Sequence, residues 1–207
     1  MGGFDSGLKA LIDIDADLAS AYKAAGAPAS RKRSPGFASL LRNIINQQVS
    51  VQAGQAIWQG LENGIKAPTP EVILEVSIED LRGCGLSRAK AGCAKELAGA
   101  ILDGSLDLDG LKRLDDDGVL EQLTRIKGIG RWTAEIYLMF ALGRPDIWPS
   151  GDLALAVAAE RLLGLAERPD PKKLEVIAEA WRPWRTSAAV MLWHYYKHTG
   201  PMGKAQR

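Results

Sequence analysis

The chain has 207 residues, 46% of them apolar, enough to bury a sizeable core in one domain or two small helical lobes. Its net charge is only +1, which excludes a uniformly basic coat, so any nucleic-acid surface must be local. Cys84 and Cys93 are too few thiolates for an iron–sulfur cluster and read as partly buried thiols.

The start, Met1-Gly2-Gly3-Phe4-Asp5, lacks a charged region followed by an apolar run, so secretion is not expected. Leu8, Leu11, Ile12, Leu18 and Tyr22 mark a first amphipathic segment, closed by Gly26 and Pro28. Arg31-Lys32-Arg33 then forms an exposed joint, either a solvated turn or a phosphate contact. A second helix runs from Phe37 through Leu40, Leu41, Ile44 and Ile45. A third follows Ser50 with Ile57, Trp58 and Leu61, ending at Asn63-Gly64. Thr69-Pro70-Glu71 predicts an N-cap, a proline in the first turn and an acid suited to the helix dipole. Short helices reach about Gly83, and another spans Ser87 to Gly104. Asp115-Asp116-Asp117 reads as a helix start, with metal ligation the alternative.

No stretch alternates with period two, so the fold class is all-α. The apolar run around Ile136–Leu142 is too short to span a bilayer. His194 and His198 have no acidic or cysteine partners at ligand spacing, so no zinc site is expected.

The most informative stretch is Leu123-Thr124-Arg125-Ile126-Lys127-Gly128-Ile129-Gly130-Arg131-Trp132-Thr133-Ala134. One helix ends near Ile126 and another begins near Arg131. Glycines permit a positive φ and close approach, so the turn can present consecutive backbone N–H groups at the start of the next helix. That arrangement binds anions, and DNA phosphate is the natural candidate. Lys127 and Arg131 add charge, Thr133 lies in the first turn, and Ile129 packs inward. The alternative is an ordinary helix connection with a glycine C-cap. From Arg131 to Leu142 the following helix is apolar almost all round, as a central helix would be. A weaker echo of the turn stands at Leu81-Arg82-Gly83-Cys84-Gly85-Leu86-Ser87.

Gly143-Arg144-Pro145-Asp146-Ile147-Trp148-Pro149-Ser150-Gly151-Asp152 reads as a loop, with a helix starting after Asp152. The central helix is about 18 Å long, and the loop spans about 30 Å when extended. Asp152 can therefore return to face the hairpin end. Cleavage of an N-glycosidic bond builds positive charge on the sugar, which a fixed carboxylate stabilises, and the same group can orient water. Capping is the competing role for Asp152, and both can hold at once.

Hairpin and aspartate together resemble the helix-hairpin-helix/Gly-Pro-Asp superfamily of DNA base-excision glycosylases, in particular its alkylated-base group, 3-methyladenine DNA glycosylase II. Three further stretches carry the likeness: Ile44-Ile45-Asn46-Gln47-Gln48-Val49-Ser50, the echo at Leu81–Ser87, and Trp181-Arg182-Pro183-Trp184-Arg185-Thr186-Ser187-Ala188-Ala189. The resemblance implies a two-lobed helical fold without an N-terminal β domain. It makes residues 1–207 a single glycosylase domain with a cleft between its lobes and the hairpin at 123–134.

It further implies that Asp152 is the catalytic aspartate, with Gly151 standing where the family name has proline. Lys127, Gly128, Ile129, Gly130, Arg131 and Thr133 form the DNA-anchoring hairpin. Family members also hold a monovalent cation there, which places one at the main chain near Ile126 and Gly128. Gln47 and Gln48 fall on the element that enters the duplex, Gln48 filling the vacated space. Trp132 stands where bifunctional relatives carry a lysine, so Schiff-base lyase chemistry is not expected.

An aromatic pocket favours a cationic alkylated purine. Trp132, Trp58 and Tyr137 are assigned to it, with Trp148, Trp181, Trp184 and Trp193 as further candidates. The expectation is a monofunctional glycosylase acting as a monomer on double-stranded DNA that contains alkylated bases. It needs no cofactor, no membrane and no obligate protein partner, and works in the nucleoid or the nucleus. The alternative is a non-catalytic helix-hairpin-helix module that anchors DNA.

Overall fold

The structure, a computed structural model, describes residues 3–65 and 67–200. Its helices are α1 (Gly3–Ile14), α2 (Ala16–Ala25), α3 (Phe37–Ile45), α4 (Val51–Ile65), α5 (Pro70–Glu75) and α6 (Ile78–Gly83). They continue with α7 (Arg88–Leu102), α8 (Asp116–Thr124), α9 (Arg131–Phe140), α10 (Leu153–Leu162), α11 (Pro171–Ala178) and α12 (Arg185–Thr199). Single 3-10 turns lie at Gly110–Arg113 and Glu179–Trp181. Among the described residues there is no strand, so the fold is all-α. No described helix is long and apolar enough to cross a membrane.

Helix starts follow side-chain capping. Thr69, Ser77, Ser87, Asp115, Asp152 and Asp170 each accept a backbone N–H from the first turn of the helix that follows. Each such cap stabilises its helix by roughly 0.5–2 kcal/mol. For Asp115 this settles the local role of the acidic run as a helix start.

The amphipathic segment from Leu8 to Tyr22 is two helices instead of one. Asp15 is extended (φ −120°, ψ 109°), and one carboxylate oxygen accepts from the Leu18 N–H at 2.8 Å. Its other oxygen accepts from the Trp181 indole N–H at 2.8 Å. Stepping out of helical geometry lets this residue cap α2 and satisfy a fully buried tryptophan at once. Helical periodicity on either side gives no sign of that break.

The described residues fall into two compact units, one from residues 3–32 with 143–200, the other from 33–65 with 67–142. In the first, α12 packs against α1, α2 and α10. Its residues Thr186 to Trp193 are all buried, as suits a helix surrounded by its neighbours. In the second, α3 packs against α4, α7 and α9, while α8 pairs with α9 and both α5 and α6 lie on α7. Thr133 to Phe140 of α9 are all buried, which fixes this helix at the centre of its unit with the hairpin at its exposed start.

Candidate active site and nucleic-acid interface

The hairpin belongs to the second unit. After α8 the chain turns through Ile126, whose N–H donates to the Leu123 carbonyl at 3.2 Å. The Ile129 N–H then donates back to the Ile126 carbonyl at 3.0 Å, and the Ile129 side chain is buried. Gly128 has φ +97°, and a Cβ there would lie 2.7 Å from both Cβ and Sγ of Cys93. Left-handed geometry and close packing on α7 therefore both demand glycine. Gly130 differs: it is the N-cap of α9 at φ −87°, and a Cβ would meet nothing within 4 Å. Its missing side chain is not needed by the fold; it leaves the start of α9 uncovered. There the first N–H groups have no intrahelical acceptor and the dipole favours an anion.

Lys127 is exposed beside this opening. Arg131 is tethered, its Nε donating to Glu135 Oε1 at 2.8 Å, and the Glu135 side chain is only 5% exposed. Thr133 is buried, so its hydroxyl is not a DNA contact. It accepts from Gln47 Nε2 at 2.9 Å, and the same amide donates to the Gly128 carbonyl at 3.1 Å. Gln47 thus clamps the turn after α3 to the hairpin, and its amide is engaged within the protein.

Lys90 supports the same turn, its Nζ donating to the Ile45 carbonyl at 2.8 Å. Gln48, by contrast, is exposed in left-handed geometry at φ 52°. A non-glycine residue held there carries strain of about 1–3 kcal/mol, a cost that surrounding structure must sustain.

The two carbonyls singled out for a cation each accept one N–H already, Ile126 from Ile129 and Gly128 from Gln47. Each keeps a second lone pair, so the two could supply part of a monovalent cation's ligand set and would need further donors to complete it.

Two of the three aromatics assigned to a base pocket do not fit it. Tyr137 is fully buried and its hydroxyl accepts the Gly36 N–H at 3.0 Å, so it braces the start of α3. Burial pushes its phenol pKa up. Trp58 is buried under the Arg42 guanidinium, which lies 3.8 Å from the ring centroid, so that face is closed to a nucleobase. Trp132, in the first turn of α9, is half-buried. Trp148 and Trp181 pack on each other with centroids 5.2 Å apart, as core.

Asp152 belongs to the first unit, and the loop before it is pinned to the start of α12. Arg185 donates from Nε to Asp146 Oδ1 at 2.8 Å and from Nη2 to the Asp146 carbonyl at 2.7 Å. Thr186 Oγ1 donates to the Arg144 carbonyl at 2.8 Å and accepts the Ile147 N–H at 3.1 Å. The Asp152 N–H donates to the Pro149 carbonyl at 3.0 Å. Asp152 Oδ1 then accepts two donors, the Leu155 N–H at 3.0 Å and the Trp193 indole N–H at 3.0 Å. Arg31 lies over the Trp193 ring, its guanidinium 5.4 Å from the centroid. One member of the basic joint is therefore packed against an aromatic ring. Trp193 is 41 residues along the chain from its partner, and no local pattern announces the pair.

The match to the family described as HhH-GPD superfamily base excision DNA repair protein extends over residues 41–185, and so covers both the hairpin and Asp152. The chain belongs to this superfamily. Among HhH-GPD relatives, DNA-3-methyladenine glycosylase 1 of Schizosaccharomyces pombe is 34% identical over 168 residues, 79% of this chain and 74% of that one. Alkylbase DNA glycosidase-like protein mag2 of the same organism is 32% identical over 197 residues, 91% of this chain and 92% of that one. Among solved structures, the S. pombe 3-methyladenine DNA glycosylase Mag1 in complex with abasic DNA superposes with a TM-score of 0.82 at 31% identity. That superposition covers 91% of this chain and 95% of Mag1.

Proposed function

We propose that the chain is a monofunctional DNA glycosylase of base-excision repair that extrudes an alkylated base from the duplex and hydrolyses its N-glycosidic bond. The observation that carries this reading is the placement of Asp152. Its carboxylate sits at the N-terminus of α10, held on one oxygen by the Leu155 N–H and the Trp193 indole. Two donors fix the direction of the carboxylate.

The hairpin takes a backbone phosphate on the first N–H groups of α9, with Lys127 beside it and Gly130 leaving the approach clear. Gln48, held outward, fills the space that the extruded base vacates. As the C1′–N bond lengthens, positive charge grows on the sugar and the Asp152 carboxylate stabilises it. Water adds to C1′ while the bond pair leaves with the base, and the water's proton passes to the carboxylate or to solvent. An N3- or N7-alkylated purine is already cationic, so it departs neutral and needs no acid to protonate it. Trp132 supplies the aromatic face that favours such a ring. It occupies the lysine position of bifunctional enzymes, so the product is an intact abasic site. The substrate is double-stranded DNA with alkylated bases, and the working form is a monomer.

The test is release of free base from methylated duplex by wild type and Asp152→Asn, with duplex binding measured alongside. Release that collapses in the variant while binding persists supports the reading. No release by either protein, with binding blind to damage, would leave a DNA-anchoring module.

A further inference from the structure

The second unit contains a cavity that neither the hairpin nor Asp152 uses. Its volume is about 200 Å³, and Arg33, Arg42, Asn46, Gln55 and Trp58 supply its polar and aromatic lining. Arg42 is stacked on Trp58, and Arg33 donates from Nη1 to the buried Asn43 Oδ1 at 2.9 Å. No carboxylate is among the lining residues. Glu62 reaches Arg42 only at 3.7 Å, beyond hydrogen-bond distance, and both groups are nearly half exposed.

We propose that this cavity seats a phosphate of the DNA backbone, as an anchor separate from the hairpin. The inference rests on the DNA glycosylase reading above. Three features point to phosphate over a nucleobase. The one large aromatic in the lining is buried beneath Arg42, so no open ring remains for a base to stack on. A guanidinium held over an indole face still presents N–H donors at its edge, and such donors bind phosphate oxygens in pairs. Two guanidinium groups and two side-chain amides form a donor set with no acid in the lining itself.

Chain position points the same way. Asn46 and Val51 line the cavity and bracket the turn that carries Gln48, and Val51 is 85% exposed. A strand engaged by Gln48 therefore runs within a few residues of the cavity mouth. Burial and the neighbouring Arg42 both lower the pKa of Arg33, a cost that a bound anion relieves.

The test is fluorescence anisotropy of wild type, Arg33→Gln, Arg42→Gln and Arg42→Lys on a duplex holding an abasic-site analogue, across a salt series. Loss of one phosphate contact lowers the slope of log K against log salt by about 0.9. We expect that loss in both glutamine variants, with affinity down about three- to tenfold near 0.1 M salt. Arg42→Lys keeps the charge and should hold a slope close to wild type. A scan of single methylphosphonate linkages adds a second measure: one neutral linkage should weaken wild type but add nothing to Arg42→Gln. Unchanged slopes in both glutamine variants, with wild type binding normally, would overturn the phosphate site alone. So would equal sensitivity of wild type and Arg42→Gln to every neutral linkage. Failure of wild type to bind duplex at all would overturn the glycosylase reading and this site with it.

Discussion

Asp152 has a structural and a chemical role, and two substitutions separate them. In Asp152→Asn a side-chain oxygen can still accept from the Leu155 N–H and the Trp193 indole, whose present distances are both 3.0 Å. The charge at the helix N-terminus is lost, worth about 0.3–1 kcal/mol. Asp152→Ala removes the cap, at about 0.5–2 kcal/mol, and the acceptor of an indole N–H on a side chain that is 8% exposed. Stripping that acceptor costs about 1–3 kcal/mol. The alanine variant should therefore lose roughly 1.5–5 kcal/mol in all. For a chain of this size each kcal/mol lowers Tm by about 2–4 °C. Thermal melting should show Asp152→Ala down by about 3–20 °C and Asp152→Asn by at most about 4 °C. Base release should fall about 10²–10³-fold in both, the size expected for removing a group aimed at developing charge. If Asp152→Asn releases base as wild type does while Asp152→Ala melts early, the residue is a cap and the catalytic assignment is wrong. If the two variants melt together, the accounting of cap and indole is wrong.

The two hairpin glycines should answer differently. Gly128→Ala meets Cys93 at 2.7 Å in left-handed geometry, and both melting temperature and DNA binding should fall. Gly130→Ala has room and an ordinary φ, so it should melt like wild type yet bind duplex more weakly; unimpaired binding would argue against an anion at the start of α9. Gln47→Ala loses donors to Gly128 and Thr133, a cost of about 1–3 kcal/mol that an unchanged denaturation midpoint would contradict. Burial pushes the Cys93 thiol up to about 11, because the thiolate is the form disfavoured there. At pH 8 mass spectrometry should find Cys93 alkylated far more slowly than half-buried Cys84, and equal rates would refute that environment.

What the sequence determined by itself is local. The caps at Thr69, Ser87, Asp115 and Asp152 were readable because a cap, its first turn and the N–H it accepts lie within four residues. The inward packing of Ile129 and the centrality of α9 followed from apolar pattern alone. The superfamily was legible for the same reason, since hairpin and aspartate are each short continuous motifs.

Tertiary structure decided which side chains remain available. Tyr137 and Trp58 carry aromatic rings like any pocket residue, but Gly36 and Arg42, each distant in sequence from its partner, occupy them. Gln47 and Gln48 are adjacent and chemically identical; backbone geometry alone turns one inward to the hairpin and the other out. Asp15 breaks a helix to satisfy Trp181 from 166 residues away, and Trp193 holds Asp152 from 41 residues away. Periodicity reports which face of a helix is apolar, because burial acts on every turn alike. A single long-range hydrogen bond has no period, so only the folded chain reveals it.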